Sequence, residues 1–254
     1  MILQTPSLLI FNIKPFLFIL SILAFLLDLI FAAFFFIKYL KNQRQNKFLL
    51  FASLALFFIY WIRLPFALNL IGFSFVIENF YLFFAVFLPF YIIALIFIIL
   101  ALQYLCPQLC KKRINIFFCS WAIVALISAA YYFFSYKGLF VNYMPVKTLY
   151  YVFVFPARVV IFLLLLRTFF GKDMSLTKIQ KIGLFSLFLN NFLGAAVNYF
   201  NYAVMLNVPP QFWFLPVAGY SIAYIWEFFN SILLIGGFLL IAKDFKNDLN
   251  QIKY

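Results

Sequence analysis

The chain alternates between long apolar runs and short polar stretches. Seven runs are long enough for an α-helix to cross a bilayer, which takes about 20 residues. They cover residues 16–39, 48–70, 80–105, 114–136, 149–167, 182–206 and 213–242. Apolar positions within them are continuous, which does not fit the alternating strands of a barrel. The pattern therefore predicts an all-α polytopic membrane protein, a seven-transmembrane-helix bundle.

Composition supports a single membrane domain. Of the 254 residues, 68% are hydrophobic and only 10% are charged, which is more apolar side chain than one soluble core can bury. The connections between the runs are short, so we expect one domain over residues 1–254 that includes a short cytoplasmic tail over 243–254. The first run is untypical of a cleavable signal peptide because it is long and contains Asp28.

Lysine and arginine residues alternate between the connections. Fourteen cations lie on one side: Lys38, Lys41, Arg44, Lys47, Lys111, Lys112, Arg113, Arg167, Lys172, Lys178, Lys181, Lys243, Lys246 and Lys253. The other side holds only Lys14, Lys137 and Lys147. By the positive-inside rule, the N-terminus lies outside and the C-terminus in the cytoplasm. We expect a multi-pass protein of a prokaryotic cell membrane.

The net charge of +13 does not indicate nucleic acid. The cations lie at predicted helix ends in short connections, where they set topology and contact anionic lipid headgroups. A nucleic-acid surface would require a basic stripe with interleaved aromatic residues outside the membrane, and the sequence has none. The expected partner is therefore the lipid bilayer.

Four ionisable residues lie inside the predicted spans: Asp28, Arg63, Arg158 and Glu227. Each charge near the bilayer centre costs on the order of 2.5–3.5 kcal/mol, so each needs an interior partner or a wet cavity. Arg158 is nine residues from Arg167, at the end of its run, which places it about 13 Å along the helix and near mid-depth. Glu227 also lies near the middle of its run. We therefore predict a contact between Arg158 and Glu227, and a second one between Asp28 and Arg63.

Three roles for these charges stay open. A buried ion pair can fix helix packing and register without any chemistry. The same charges can form a ligand or ion site, and the third role, catalysis, has the least support. Pro156 lies two residues before Arg158, so a helix bend and a charge coincide in this span.

Further polar residues cluster in the last two runs. Asn191, Asn198 and Asn201 have the spacing of one helix face, and small residues at 194–196 permit close approach of a neighbouring helix. Together with Tyr224, Asn230 and Glu227 they have the chemistry of a small-molecule pocket. Hydrogen bonding between the two helices is the alternative.

Several chemistries are absent from the sequence. The chain has no histidine, which removes histidine-ligated haem, histidine zinc sites and Ser-His catalysis. It has no glycine-rich phosphate loop, and the last run carries no lysine for a retinal Schiff base. The cysteines Cys106, Cys110 and Cys119 are expected to be free thiols or palmitoylation sites. We expect neither a cofactor nor a metal, and no enzymatic activity.

Diffuse features are shared with one family. They are the basic connection YLKNQRQNKF, FASLALFFIYW with Trp61, LPFYIIALIFIILALQY with Pro89 and Tyr104, the segment YKGLFV, and KIQ at 178–180. In these features the chain resembles the seven-helix sensory region of bacterial histidine kinases and related signalling proteins. The resemblance implies a signal passed to a cytoplasmic kinase or cyclase. Since only a short tail follows the last run here, we expect a separate cytoplasmic or membrane signalling partner.

Three functional hypotheses follow. The first is a sensor or receptor-like protein that binds a small or lipid-like ligand in an intramembrane pocket anchored by Arg158 and Glu227. The second is a small-solute transporter, although runs one to three and five to seven do not bring equivalent charges into register. The third is a structural subunit of a membrane complex. The sequence leaves the ligand, the partner and the oligomeric state open.

Overall fold

A computed structural model of the protein describes residues 6–42, 44–70, 80–105, 112–135, 143–170, 176–207 and 214–251. All regular secondary structure within these ranges is α-helical. The seven described helices are α1 (Pro6–Lys41), α2 (Lys47–Leu70), α3 (Phe80–Leu105), α4 (Lys112–Ser135), α5 (Tyr143–Phe170), α6 (Lys178–Asn207) and α7 (Phe214–Gln251). Each predicted run falls on one of these helices, which confirms the prediction of an all-α fold over the described residues.

Within the described part of the chain, three helical segments are long and apolar enough to cross a membrane. They are Pro15–Lys41 in α1, Val152–Phe170 in α5 and Ile225–Lys243 in α7. Three further apolar segments are shorter: Lys47–Trp61, Pro89–Leu105 and Ile114–Ser128. Large apolar side chains are exposed on the outside of the protein, among them Ile127, Tyr131 and Phe134 on α4. Such a surface is suited to lipid rather than to water.

Local hydrogen bonds fix where two helices begin. The side chain of Asn46 accepts a bond from the Phe48 amide at 3.1 Å and caps the start of α2. At the start of α6, Thr177 Oγ1 accepts from the Gln180 amide at 3.2 Å, and Gln180 Oε1 accepts from the Thr177 amide at 3.1 Å. This reciprocal pair is a capping box.

The connection between α1 and α2 is a tight turn. Arg44 has a φ of 61°, in the left-handed region, and its amide donates to the Tyr39 carbonyl at 3.1 Å. The turn sends α2 back along α1, and the two helices pack extensively. Ser53 on α2 also donates to the Ala32 carbonyl on α1 at 2.8 Å. This hairpin brings the middle of α1 beside the middle of α2.

Six of the described helices form a closed ring, and α4 lies outside it. In order round the ring, α1 packs on α2, α2 on α3, α3 on α5, α5 on α6, α6 on α7, and α7 on α1. Helix α4 lies against α3 and α5. Near one end, the Phe238 ring on α7 meets Phe35 of α1 edge-on at 6.2 Å and Phe48 of α2 at 5.8 Å. These fully buried rings join the first, second and last helices.

The closest helix crossing joins α6 and α7. A Cβ atom at Gly183 would lie 2.8 Å from the Gly237 carbonyl oxygen, and a Cβ at Gly237 would lie 2.7 Å from Leu187 Cδ2. Only residues without a side chain allow the two backbones to approach this closely. Above this crossing, α6 and α7 together hold much of the polar interior.

Candidate functional site

Arg63 on α2 is the centre of a buried ion-pair network. Its Nη1 donates to Asp28 Oδ2 on α1 and to the Ser231 hydroxyl on α7, and its Nε donates to Glu227 Oε2 on α7 at 3.1 Å. Nη1 also lies 3.5 Å from the Ala24 carbonyl oxygen. We call Asp28, Arg63, Glu227 and Ser231 the Arg63 network. It contains two carboxylates and one guanidinium, so its formal charge is negative.

The network is enclosed to different degrees at its two acids. Asp28 is fully buried and Arg63 is 3% exposed, whereas the Glu227 side chain is 32% exposed. Asp28 Oδ1 and Arg63 Nη2 have no hydrogen-bond partner among the described residues. Removing one member of such a pair leaves an uncompensated charge, which makes the network sensitive to single substitutions.

The two predicted charge pairs have different outcomes. The contact between Asp28 and Arg63 is confirmed. The contact between Arg158 and Glu227 is wrong, because Glu227 is bound by Arg63 and forms no ion pair with Arg158. The physical reason is helix position round the ring: α7 packs directly on α1 and α2, whereas Arg158 is on α5, beyond α6.

Arg158 instead contacts an aromatic side chain on α3. Its Nη2 donates to the Tyr91 hydroxyl, and its guanidinium carbon lies 5.4 Å from the centre of the Tyr91 ring. Arg158 is 5% exposed, and its Nε and Nη1 have no hydrogen-bond partner among the described residues. This arginine is therefore a buried positive charge with two donors still available.

Arg158 lines a small cavity, which we call the Arg158 cavity. Its volume is about 10 Å³, which is enough for about one water molecule. The lining comprises Ile59, Tyr91, Ala94, Leu95, Ile98, Arg158, Asn190, Asn191, Asn230 and Leu234. The cavity thus combines an aliphatic wall from α2 and α3 with a polar wall from α5, α6 and α7.

Asparagine amides build most of the polar wall. Asn190 Nδ2 donates to the carbonyl oxygen of Asn230 at 2.9 Å and to its Oδ1 at 2.8 Å, which ties α6 to α7. Asn191 Nδ2 donates to the Leu187 carbonyl one turn earlier in α6 at 2.9 Å. All three amides are buried. They hold neutral polar groups beside Arg158 without supplying a negative charge.

Gly194 on α6 makes room for the arginine. A Cβ atom at Gly194 would collide with Arg158 Nη1, and would lie 2.8 Å from Arg158 Cζ and 3.3 Å from Cζ2 of Trp226. The indole nitrogen of Trp226 is also buried without a hydrogen-bond partner among the described residues. The guanidinium therefore fits into a gap that only glycine leaves open.

The structure describes some of the side chains on the predicted polar face of the last two runs. Asn191 and Asn230 both line the Arg158 cavity, whereas Glu227, predicted for the same pocket, binds Arg63 instead. The side chains of Asn198, Asn201 and Tyr224 lie outside the described residues, although all three positions are helical. Their predicted place on the same face stays a prediction.

Four residues of the site were missed from the sequence. Tyr91 follows Pro89 within LPFYIIAL, where a hydroxyl inside an apolar run was a usable signal. Asn190 was not included in the predicted face of Asn191, Asn198 and Asn201, yet Asn190 and Asn191 both line the cavity. Ser231 lies four residues after Glu227, on the same helix face, and was a detectable neighbour of that charge. Trp226 carries no pattern that distinguishes it from a packing residue.

The described residues fit some ligands better than others. No three His, Cys, Asp or Glu side chains come together within the described part of the chain, so it has no cluster of metal ligands. The Arg158 cavity has hydrogen-bond donors with a positive charge, and none of its lining residues is an acid. The cavity therefore has the polar groups and the positive charge that a small-molecule site can use.

Comparison with known proteins finds no match among protein-family models, curated proteins or solved structures. The resemblance to the sensory region of histidine kinases therefore stays a prediction.

Proposed function

We propose that this protein is an integral membrane sensor that binds a small or lipid-like ligand at the Arg158 cavity. In this proposal all seven helices cross a cell membrane, with the N-terminus outside and the C-terminus in the cytoplasm. The three long apolar segments and the one-sided distribution of cations support this topology. A buried arginine with free donors supports the binding site.

One observation carries the sensor function: the same turn of α7 contributes to both polar centres. Asn230 lines the Arg158 cavity, while Glu227 and Ser231 hold Arg63. A ligand that displaces Asn230 must move this turn, and with it the contacts of α7 to α1 and α2. The cavity and the ring closure are therefore mechanically joined through one helix.

The output would leave through the end of α7. This helix continues to Gln251, well past the apolar segment that ends at Lys243. A rigid helix transmits a shift at Asn230 along its length, so a cytoplasmic or membrane signalling partner could read the shift at the tail. Ligand binding shifts the population only by its difference in affinity for the two helix arrangements.

This mechanism does not use the contact between Arg158 and Glu227 that the sequence predicted, because Arg63 binds Glu227. The ligand engages an arginine whose Nε and Nη1 are available, and its effect on Glu227 is indirect, through α7. The Arg63 network then acts as the latch that ligand binding loosens or tightens.

The test uses the full chain with two spin labels, one near the end of α7 and one near the end of α1. A library of small solutes and amphiphiles is screened by melting temperature, and each hit is followed by label distance. A sensor gives hits that change the distance in the wild type and in Arg167→Gln, an exposed arginine on the same helix, but not in Arg158→Gln. Hits without any distance change contradict the sensor.

A second assay separates the sensor from a carrier. Each hit is offered to proteoliposomes that contain the wild type or Arg158→Gln. A sensor binds without moving the solute across the bilayer. Uptake that depends on Arg158 would contradict the sensor and identify a small-solute transporter instead.

A further inference from the structure

Arg158 is the one buried charge in the described interior that has no buried charge of opposite sign bound to it. Arg63 binds two carboxylates, whereas Arg158 donates to the Tyr91 hydroxyl, a neutral group. A guanidinium stays protonated in proteins, so its charge cannot be removed by losing a proton. A charge held 5% exposed in an apolar bundle requires a counter-ion.

The walls of the Arg158 cavity do not provide this counter-ion. Apart from Arg158, the polar lining consists of one phenol and three amides, and the remaining lining residues are aliphatic. The two acids of the described interior, Asp28 and Glu227, are both bound to Arg63. The interior thus carries a negative excess at the Arg63 network and a positive excess at Arg158.

The free donors point to the kind of group that compensates the charge. Nε and Nη1 are the two nitrogens of Arg158 that have no hydrogen-bond partner among the described residues, and a carboxylate or a halide ion accepts charge-assisted hydrogen bonds from such N–H groups. The cavity has room for about one water molecule, so the group that enters must be small. A phosphate, with more oxygens and a higher charge, does not match this volume.

We propose that the Arg158 cavity is a site for a single monovalent anionic group, either a free chloride ion or the carboxylate end of an amphiphile. This rests on the proposed function, because it names the chemical class of the ligand at that site. The anion accepts a charge-assisted hydrogen bond from an N–H of Arg158 that has no partner among the described residues. Gly194 leaves the space that the guanidinium occupies.

The two sources are separated with matched probes on the purified full chain in a neutral detergent. Sodium chloride is titrated against sodium sulfate at constant sodium, because the larger divalent sulfate does not match the cavity, and sodium decanoate is compared with decanol. Melting temperature gives the apparent affinity. A rise with chloride supports a free halide; a rise with decanoate but not with decanol or chloride supports a carboxylate. Either result supports the anion site, and a response to neither anion overturns it.

Arginine variants assign the response to the cavity. Arg158→Gln is expected to weaken binding by about tenfold or more, since a charge-assisted hydrogen bond is lost. Arg158→Lys, which keeps the charge but changes the position of the N–H donors, is expected to lie between Arg158→Gln and the wild type. The control Arg167→Gln removes an exposed arginine from the same helix and should bind like the wild type. Equal binding by Arg158→Gln and wild type overturns the proposal.

A variant that keeps Arg158 decides the matter if Arg158→Gln does not fold. Tyr91→Phe removes the hydroxyl that accepts from Nη2, which leaves the arginine with one more free donor. The anion should then bind at least as tightly as in the wild type. Weaker binding would show that the hydroxyl, and not the charge, holds the ligand, and would overturn the proposal.

The same measurements distinguish this proposal from the sensor function. If uncharged solutes bind through Arg158 and move the end of α7 while neither anion binds, the anion class is overturned and the sensor stands. If chloride or decanoate binds through Arg158 without moving the α7 label, the anion site is supported and the sensor function fails.

Discussion

Gly194 on α6 and the guanidinium of Arg158 on α5 are so close that a methyl group on the glycine would lie 2.8 Å from Arg158 Cζ. Trp226 confines the same gap from the other helix, with Cζ2 at 3.3 Å from the methyl position. The position of the arginine is therefore fixed by the absence of a side chain opposite it.

Gly194→Ala should displace Arg158 and abolish the response of the cavity to chloride or decanoate. The methyl group occupies the space of Nη1, and the buried guanidinium must rotate away from its present contacts. Melting temperature with and without each anion measures the effect. The control is Gly236→Ala, where the nearest atom to a new Cβ is Ser186 Oγ at 4.0 Å. An unchanged anion response in Gly194→Ala would contradict the assigned geometry.

Arg63→Met should destabilise the protein strongly. It leaves Asp28 fully buried and Glu227 partly buried without their cation, and breaking a buried ion pair in this way costs about 3–5 kcal/mol. Unfolding in mixed detergent micelles measures the loss. Replacing Asp28, Arg63 and Glu227 together by apolar or amide residues should recover most of it. A single variant as stable as the wild type would show that the network contributes nothing.

Arg158→Met should have a different effect in chloride-free buffer. It removes a buried charge to which no carboxylate is bound, so the free energy of unfolding should stay unchanged or rise by about 1–4 kcal/mol. The same unfolding assay, run beside Arg63→Met, makes the comparison. A loss as large as that of Arg63→Met would mean that Arg158 has a buried anionic partner within the protein.

Gly237→Ala should weaken the crossing of α6 and α7. The new methyl group would lie 2.7 Å from Leu187 Cδ2 and 3.0 Å from the Gly183 carbonyl oxygen, and overpacking of this kind costs about 1–3 kcal/mol. Gly236→Ala, one residue earlier, has room and should be neutral or gain up to about 1 kcal/mol from helix propensity. Equal stabilities of the two variants would contradict the close crossing.

The proposed topology predicts how fusion reporters behave. A green fluorescent protein fused after the last residue should fluoresce, and alkaline phosphatase at the same place should be inactive, because the C-terminus lies in the cytoplasm. Phosphatase inserted in the cation-free connection at 207–212 should be active. Reversed activities would invert the proposed orientation.

The helices could be predicted because the length and the apolar composition of each run are enough to identify a helix. A run such as 80–105 needs no information from elsewhere in the chain, and it coincides with α3. The ion pair between Asp28 and Arg63 could also be predicted, since a tight turn at Arg44 makes α1 and α2 neighbours. Local sequence determines both features.

The partner of Arg158 could not be predicted in the same way. Counting residues gives the depth of a charge in its helix, and by depth Glu227 was a reasonable partner. It does not give the order of helices round the ring, and α7 turns Glu227 towards α2 rather than towards α5. Long-range packing decides which charges form ion pairs. A charge that has no ion-pair partner then contacts a neutral group, as Arg158 contacts Tyr91.

The closure of the ring by α7 also has a consequence for synthesis. A ribosome makes α1 and α2 first, and Asp28 and Arg63 can neutralise each other in that early hairpin. Glu227 and Ser231 are made long afterwards and join an arginine that is already paired. Since α7 packs on α1 as well as on α6, the side of α1 that contacts α7 stays exposed until α7 has been made. During that interval this side of α1 is the surface that a chaperone or insertase would cover.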